Sequence, residues 1–406
     1  MVRIARRTTL AALTALPLGA PRLVRSQTRS APVRIGLLSD VGGPYRDMGG
    51  PGSKLAAELA CEDFGGSVLD RPLQVLQGDD QNKADIASAL AREWLDDRGV
   101  DVLADGAGSS AGLAIQEVTR QRRRIFLMAT PLSTAFIGRQ CSPYGFQFVG
   151  NTYAAAKAVG SALVRAGGDS WFFITADYEF GTSMQRDMTE FVTQSGGRVA
   201  GSVRVPLGTA DFSNFLLQAQ ASRAKVIGLA NGGSDLQNCI KQAAEFGLTR
   251  RGVRLATPFM ILPDVLSLGQ QTCEGLVLTN SFYWAISPRT RAWTERFKAR
   301  MGKPPTEYNA GAYAAVLHWL KAVKAAGGLD GDAVAAAMRD MPVNDFYNEN
   351  VRIMPNGAVP HSMYLWEVKK REEGDDPWDA FRLIMTLPSP EAFPPSDLFG
   401  CRLARS

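Results

Sequence analysis

Short runs of consecutive apolar residues alternate along this chain with longer stretches in which apolar residues recur every three or four positions. The short runs predict strands at 33–38 (VRIGLL), 73–78, 100–105, 124–129, 170–176 (SWFFITA), 198–205, 224–230, 259–262 and 275–284, with a further one at 362–370. The amphipathic stretches predict helices over 53–63, 84–97, 111–122, 153–166, 181–194, 212–222, 235–246, 289–301 and 310–326. In 235–246, Leu236, Ile240, Ala243 and Ala244 share one face, and Gly247 stands where a helix ends. Strands that are apolar throughout are buried on both faces, which calls for parallel sheets covered by helices on either side. The βα pattern restarts after CSPYGFQFVGNTYAAAKAVG (141–160), and 406 residues exceed one ordinary core. The expectation is an α/β protein of two doubly wound parallel-sheet lobes.

Charge narrows the function classes. Arg3, Arg6, Arg7, Arg22, Arg25 and Arg29 outweigh the formal net charge of +5, so the body of the chain is close to neutral. It lacks the clustered basic face that a nucleic-acid partner requires. Residues 1–26 combine a basic start, a short apolar middle and small residues before Gln27. That apolar middle is too short to span a bilayer, and the segment reads as an export signal with an Arg6-Arg7 pair of the twin-arginine kind. No cysteine follows it closely, so a soluble periplasmic protein is expected rather than a lipid-anchored one. The five cysteines show no metal-type spacing. Cys141 and Cys401 lie in loop-like segments and are the expected disulfide, while Cys61 and Cys239 fall in helical patterns.

Three stretches carry candidate chemistry. DVGGPYRDMGGPG (40–52) sits between a strand and a helix, but places Pro44 and Asp47 where a dinucleotide loop needs glycine. Its Gly52-Ser53-Lys54 has the phosphate-loop residues in the wrong order, so no nucleotide cofactor is expected. DGAGSSAGLA (105–114) contains Gly108-Ser109-Ser110-Ala111-Gly112, the spacing of a serine-hydrolase nucleophile turn with Ser110 as nucleophile. The only candidate bases are His318, in a helical apolar pattern, and His361, in a loop. Without a base, the same turn places Ser109 and Ser110 at the start of a helix, where hydroxyls and free backbone N–H groups suit a carboxylate. ATPLSTAFIG (129–138) repeats the arrangement with Ser133 and Thr134. Matching turns in the second half present Tyr178 and Phe180, then Asn231, then Asp264, and TNSFYWAISP offers Phe282 and Tyr283. Such turns converge at the carboxyl edge of a parallel sheet, where ligands bind.

The stretches VRIGLLSDVGGPYRDMGGPGSKLAAELACEDFGG, DDQNKADIASA, GDSWFFITADYEFGTSM, DFSNFLLQAQASRAKVIGLANGGSD and IKQAAEFGL resemble, in their order and spacing, periplasmic solute-binding proteins of the branched-chain amino-acid (type I) class. These proteins feed ABC importers. The resemblance runs from about residue 32 to the end. It implies two lobes joined by three hinge strands: 32–148 with about 280–352, and 149–279 with about 353–406. It further implies a monomer with a small-molecule carboxylate as ligand and an ABC permease as partner. By the same resemblance Ser109, Ser110 and Ser133 match hydroxyl turns that hold the ligand's acid group. Phe180 stands where amino-acid binders keep a tyrosine, Asp264 lies near their amine-pairing acid, and Gly232 and Gly233 replace a second tyrosine. The wording is similar to a branch that takes up aromatic acids, with Tyr45, Phe180, Phe282 and Tyr283 as ring contacts. The alternatives from the same sequence are the Ser110 hydrolase and a periplasmic ligand sensor on this fold.

Overall fold

The computed structural model describes residues 1–2, 31–373 and 376–405; residues 3–30, which hold most of the expected export signal, lie outside it. The first body opens with β1 (Val33–Ser39), α1 (Gly50–Phe64), β2 (Ser67–Val68), β3 (Arg71–Asp79) and α2 (Ala84–Asp96). It continues through β4 (Val102–Asp105), α3 (Ser109–Gln121), β5 (Phe126–Met128) and β6 (Gly145–Gln147). The second body starts with α4 (Thr152–Arg165), β7 (Ser170–Ala176), α5 (Glu179–Gln194), β8 (Arg198–Val205) and α6 (Ser213–Ala221). There follow β9 (Val226–Ala230), α7 (Gly233–Glu245), β10 (Arg254–Ala256), α8 (Leu262–Leu268), α9 (Gln270–Cys273) and β11 (Val277–Asn280). The chain then returns to the first body as α10 (Pro288–Met301), α11 (Glu307–Ala326) and α12 (Gly331–Asp340). It ends in the second body with β12 (Met363–Val368) and β13 (Phe381–Leu387).

The six-stranded sheet has the order β2-β3-β1-β4-β5-β6 and the seven-stranded sheet β13-β12-β11-β10-β9-β7-β8. Strands β1, β4, β5 and β7 are buried on both faces, as their unbroken apolar runs require. Two departures from the sequence expectation stand out. FMIL (259–262) is not a strand: pairing with β9 uses Arg254–Ala256 instead, and Phe259, Met260 and Ile261 form a buried loop. Strand β11 stops at Asn280, and the last two strands, β12 and β13, add to it antiparallel, so the second sheet is mixed at one edge. Among the described residues, no helix is long and apolar enough to cross a membrane.

Three segments cross between the bodies, at 148–151, 281–287 and 341–362. One buried polar chain ties all three. The Phe148 carbonyl accepts from His361 Nε2 at 3.2 Å, and the His361 ring stacks on Tyr347 at 4.7 Å. The Tyr347 hydroxyl donates to Ser281 Oγ at 2.7 Å. Glu307, the first residue of α11, accepts from the Ser281 N–H at 2.7 Å and from its hydroxyl at 2.9 Å. A disulfide between Cys141 and Cys401 adds a fourth link, from the loop before β6 to the tail that follows the second sheet.

Burial pushes the Glu307 carboxyl up to about 7 from 4.5. A folded-state value above the unfolded one means the folded chain holds the proton, so this group's stabilisation is complete below pH ~4.5 and is lost as pH rises through ~7. Between pH 5 and 8 that loss is on the order of 2 kcal/mol. Chemical denaturation across this range should therefore show a shallower fall in stability for Glu307→Gln than for wild type. Parallel curves would remove Glu307 as the cause.

Candidate functional site

The turn after β1 is organised by Asp40, not by a phosphate. Its buried carboxylate accepts from the Gly43 N–H at 2.6 Å and the Tyr45 N–H at 2.9 Å. A Cβ on Gly43 would lie 2.5 Å from that carboxylate, which accounts for the glycine. The turn thus delivers the Tyr45 ring into the seam between the bodies. Beneath it, buried Asp105 at the end of β4 accepts from Ser39 Oγ at 2.6 Å and from Thr130 Oγ1, tying three strand ends together. Burial pushes its carboxyl up to about 6.

Helix α3 begins at Ser109, two residues earlier than the sequence pattern suggests, with Gly108 at its N-cap and no side-chain cap. Asn82 fills the capping space: a Cβ on Gly108 would meet its Oδ1 at 2.2 Å. Ser109 and Ser110 are therefore in the first turn rather than ahead of it, and the unsatisfied N–H groups of that turn lie beside them. Tyr45, Met48, Ala107, Gly108, Ser109, Thr130, Leu132 and Phe180 enclose a cavity of about 20 Å³, on the order of one water. With Tyr45, Met48 and Phe180 where they stand, that volume is too small for an organic molecule.

The two bodies meet around this cavity. Ser133 Oγ–H donates to Glu179 at 2.6 Å, the Glu179 N–H donates to Ser110 Oγ at 3.4 Å, and the Ser234 N–H donates to the Pro44 carbonyl at 3.4 Å. Tyr45 packs 6.4 Å from Tyr178, which lies 6.2 Å from Phe180. The space beside Gly232 and Gly233 is not open: Tyr45 and Met48 fill it, and the Pro44 carbonyl abuts Gly233.

Several polar atoms in this seam are buried without a partner, namely the hydroxyls of Tyr45, Tyr178 and Tyr308, both amide atoms of Asn231, and Asp235 Oδ1. Burial first, then the charges of Asp235, Asp40 and Asp264, hold the Tyr45 hydroxyl far above its ordinary range, so it stays a neutral donor. Burial also lifts the Asp235 carboxyl to about 6. Asp235 and Tyr308 escaped the sequence reading; their only signal was position, two residues after Gly233 and one after the acid that opens α11.

Not every expected residue joins this group. Asp264 is occupied: its carboxylate accepts from the Ile261 N–H at 2.9 Å and from Gln237 at 2.7 Å, and burial raises it to about 7. Thr134 turns toward Ser183 and Asp187 and lines an outer cavity of about 610 Å³. Phe282 packs on Trp293, Phe346 and Tyr347, while Tyr283 packs on Trp366 and Phe381 with its hydroxyl on Asp379. Both follow the end of β11, so the alternation of a strand does not govern them. Both histidines are also engaged elsewhere, His318 with the Met338 carbonyl and His361 with that of Phe148. Burial lowers both to about 4, and Ser110 has no histidine partner.

Residues 32–375 match the family model described as periplasmic binding protein. The chain belongs to that family. A periplasmic binding protein from Burkholderia mallei is 42% identical, with 92% of this chain and 99% of that one covered and a TM-score of 0.89. A branched chain amino acid ABC transporter periplasmic ligand-binding protein from Burkholderia xenovorans LB400 is 36% identical, covering 92% and 100%, with a TM-score of 0.81. An ABC-transporter solute binding protein from R. palustris in complex with benzoate, 19% identical over 92% and 100% of the chains, has the same fold with a TM-score of 0.81. All three share the α/β fold described above.

Proposed function

We propose that this chain is an exported, periplasmic solute-binding protein that captures a small carboxylate between its lobes and presents it to an ABC permease. One observation carries the reading: Ser109, whose hydroxyl accepts the Ser133 N–H at 3.2 Å, and the first turn of α3, which has no side-chain cap, border an interlobe cavity whose other walls are mainly apolar and aromatic. Backbone N–H groups at a helix start hold an anion without a counter-cation. Tyr45 and Phe180 flank the organic body, and Tyr178, Asn231 and Asp235 supply unpartnered polar atoms for a substituent on it. With Asp264 already occupied, an aromatic acid with a polar substituent suits the site better than a simple amino acid. Capture works by population shift, because the ligand touches both lobes only in the closed state.

A thermal-shift panel of benzoate, 4-hydroxybenzoate, leucine, benzamide and urea tests the reading. The aromatic acids should stabilise the protein by about 2.7 kcal/mol at a hundredfold excess over Kd. Stabilisation by the amides without the acids would contradict it.

A further inference from the structure

Helical spacing places Glu179, Ser183, Arg186 and Asp187 on one face of α5, and that face lies against the Ser133-Thr134 turn of the other lobe. Asp187 is fully buried and accepts from Thr152 at 2.6 Å and from Arg186 Nε at 2.9 Å. Arg186 also donates to Thr134, and to Ser183 at 2.9 Å. Ser183 and Glu179 both reach the acid anchor: Ser133 Oγ lies 3.2 Å from Ser183 Oγ, and Glu179 makes the closer contact. It accepts the Ser133 hydroxyl proton at 2.6 Å, and its own N–H donates to Ser110. Glu179 lines the outer cavity together with Arg139 and Arg186; neither it nor any lysine or arginine lines the inner one.

We propose that Glu179 is a specificity-determining residue, an internal carboxylate that stands where a ligand's acid group must bond. In the ligand-free protein it clasps Ser133 and holds the two lobes together. An arriving monocarboxylate displaces it from Ser133, and the half-exposed side chain turns further into the outer cavity that it already lines beside Arg186. A second negative charge on the ligand near this turn is repelled, so the site takes monoacids in preference to diacids. The effect on affinity rests on the carboxylate reading of the cavity; the clasp does not.

Hydrogen-exchange mass spectrometry of the ligand-free protein tests the clasp by itself. Glu179→Ala should speed exchange in the peptide covering 132–138 by about tenfold; Ser133→Ala, which also removes the cap on the Ala135 N–H at 3.0 Å, should speed it at least as much, and adding Glu179→Ala to Ser133→Ala should change nothing further. Unchanged exchange, or additive effects, would overturn the clasp. Calorimetric titration with benzoate and terephthalate then tests selectivity. Glu179→Gln should bind benzoate several-fold tighter than wild type and gain more on terephthalate. Weaker benzoate binding by Glu179→Gln, or an unchanged ratio of the two, would overturn the competition. If benzoate binds neither protein, selectivity for acids falls together with the carboxylate reading, while the exchange experiment still decides the clasp.

Discussion

Replacing Gly233 by alanine should weaken ligand binding by on the order of a hundredfold or more, with both lobes still folded. Gly233 follows β9 in the second lobe and has a φ of +58°. A Cβ there would stand 2.1 Å from the Pro44 carbonyl oxygen, which belongs to the first lobe. The obstacle is backbone, so no side-chain rotation relieves it. It exists only when the lobes are shut, because Pro44 and Gly233 sit in different sheets' turns. The left-handed conformation adds about 1 kcal/mol of strain for alanine in either state. Circular dichroism should therefore show a folded protein with a slightly lower Tm, and calorimetry should show binding lost. Wild-type affinity in Gly233→Ala would mean that this closed arrangement is not the binding state.

Tyr45 gives the second large effect, and its two substitutions separate packing from recognition. Tyr45→Ala removes a ring that is 4% exposed and lies against Gly232, Gly233 and Tyr178, so affinity should fall by about tenfold to a hundredfold. Tyr45→Phe keeps that packing and deletes only a buried hydroxyl that has no partner. The ligand-free protein should then gain up to about 1 kcal/mol, because an unsatisfied buried donor is removed. Ligand affinity should fall in the same variant, since the hydroxyl is kept for the ligand. A Tyr45→Phe protein that is less stable and binds normally would assign the hydroxyl a structural role instead.

Much of this architecture was legible from apolar periodicity, because strands covered on both faces cannot hide their composition. The long helices were equally plain, and Gly247 closes α7 as its position suggested. What escaped were the elements with little apolar signal of their own. β6 is three residues long, and β13 is an edge strand whose Leu383 and Ile384 face solvent. α12 is short, and its N-cap Asp330, which accepts from the Ala333 N–H, lies beyond the last helix expected from the sequence. The hydroxyl-rich turns read from the sequence follow the ends of β4 and β5, at Ser109 and at Ser133. Pairing across the seam was not legible, since nothing local in DYEFG announces that Glu179 faces Ser133. Nor does an aromatic run reveal its side: Phe282 and Tyr283 look like ring contacts in sequence, yet three-dimensional packing commits them to two other clusters.

The central claim is that the cavity at the start of α3 holds a carboxylate. Calorimetric titration with matched pairs, benzoate against benzamide and leucine against leucinamide, tests it most directly. The account predicts one-to-one binding of an aromatic acid, at least about tenfold tighter than its amide, with the preference reduced in Ser109→Ala. An amide that binds as tightly as its acid, or a preference for the acid that Ser109→Ala leaves undiminished, would contradict it.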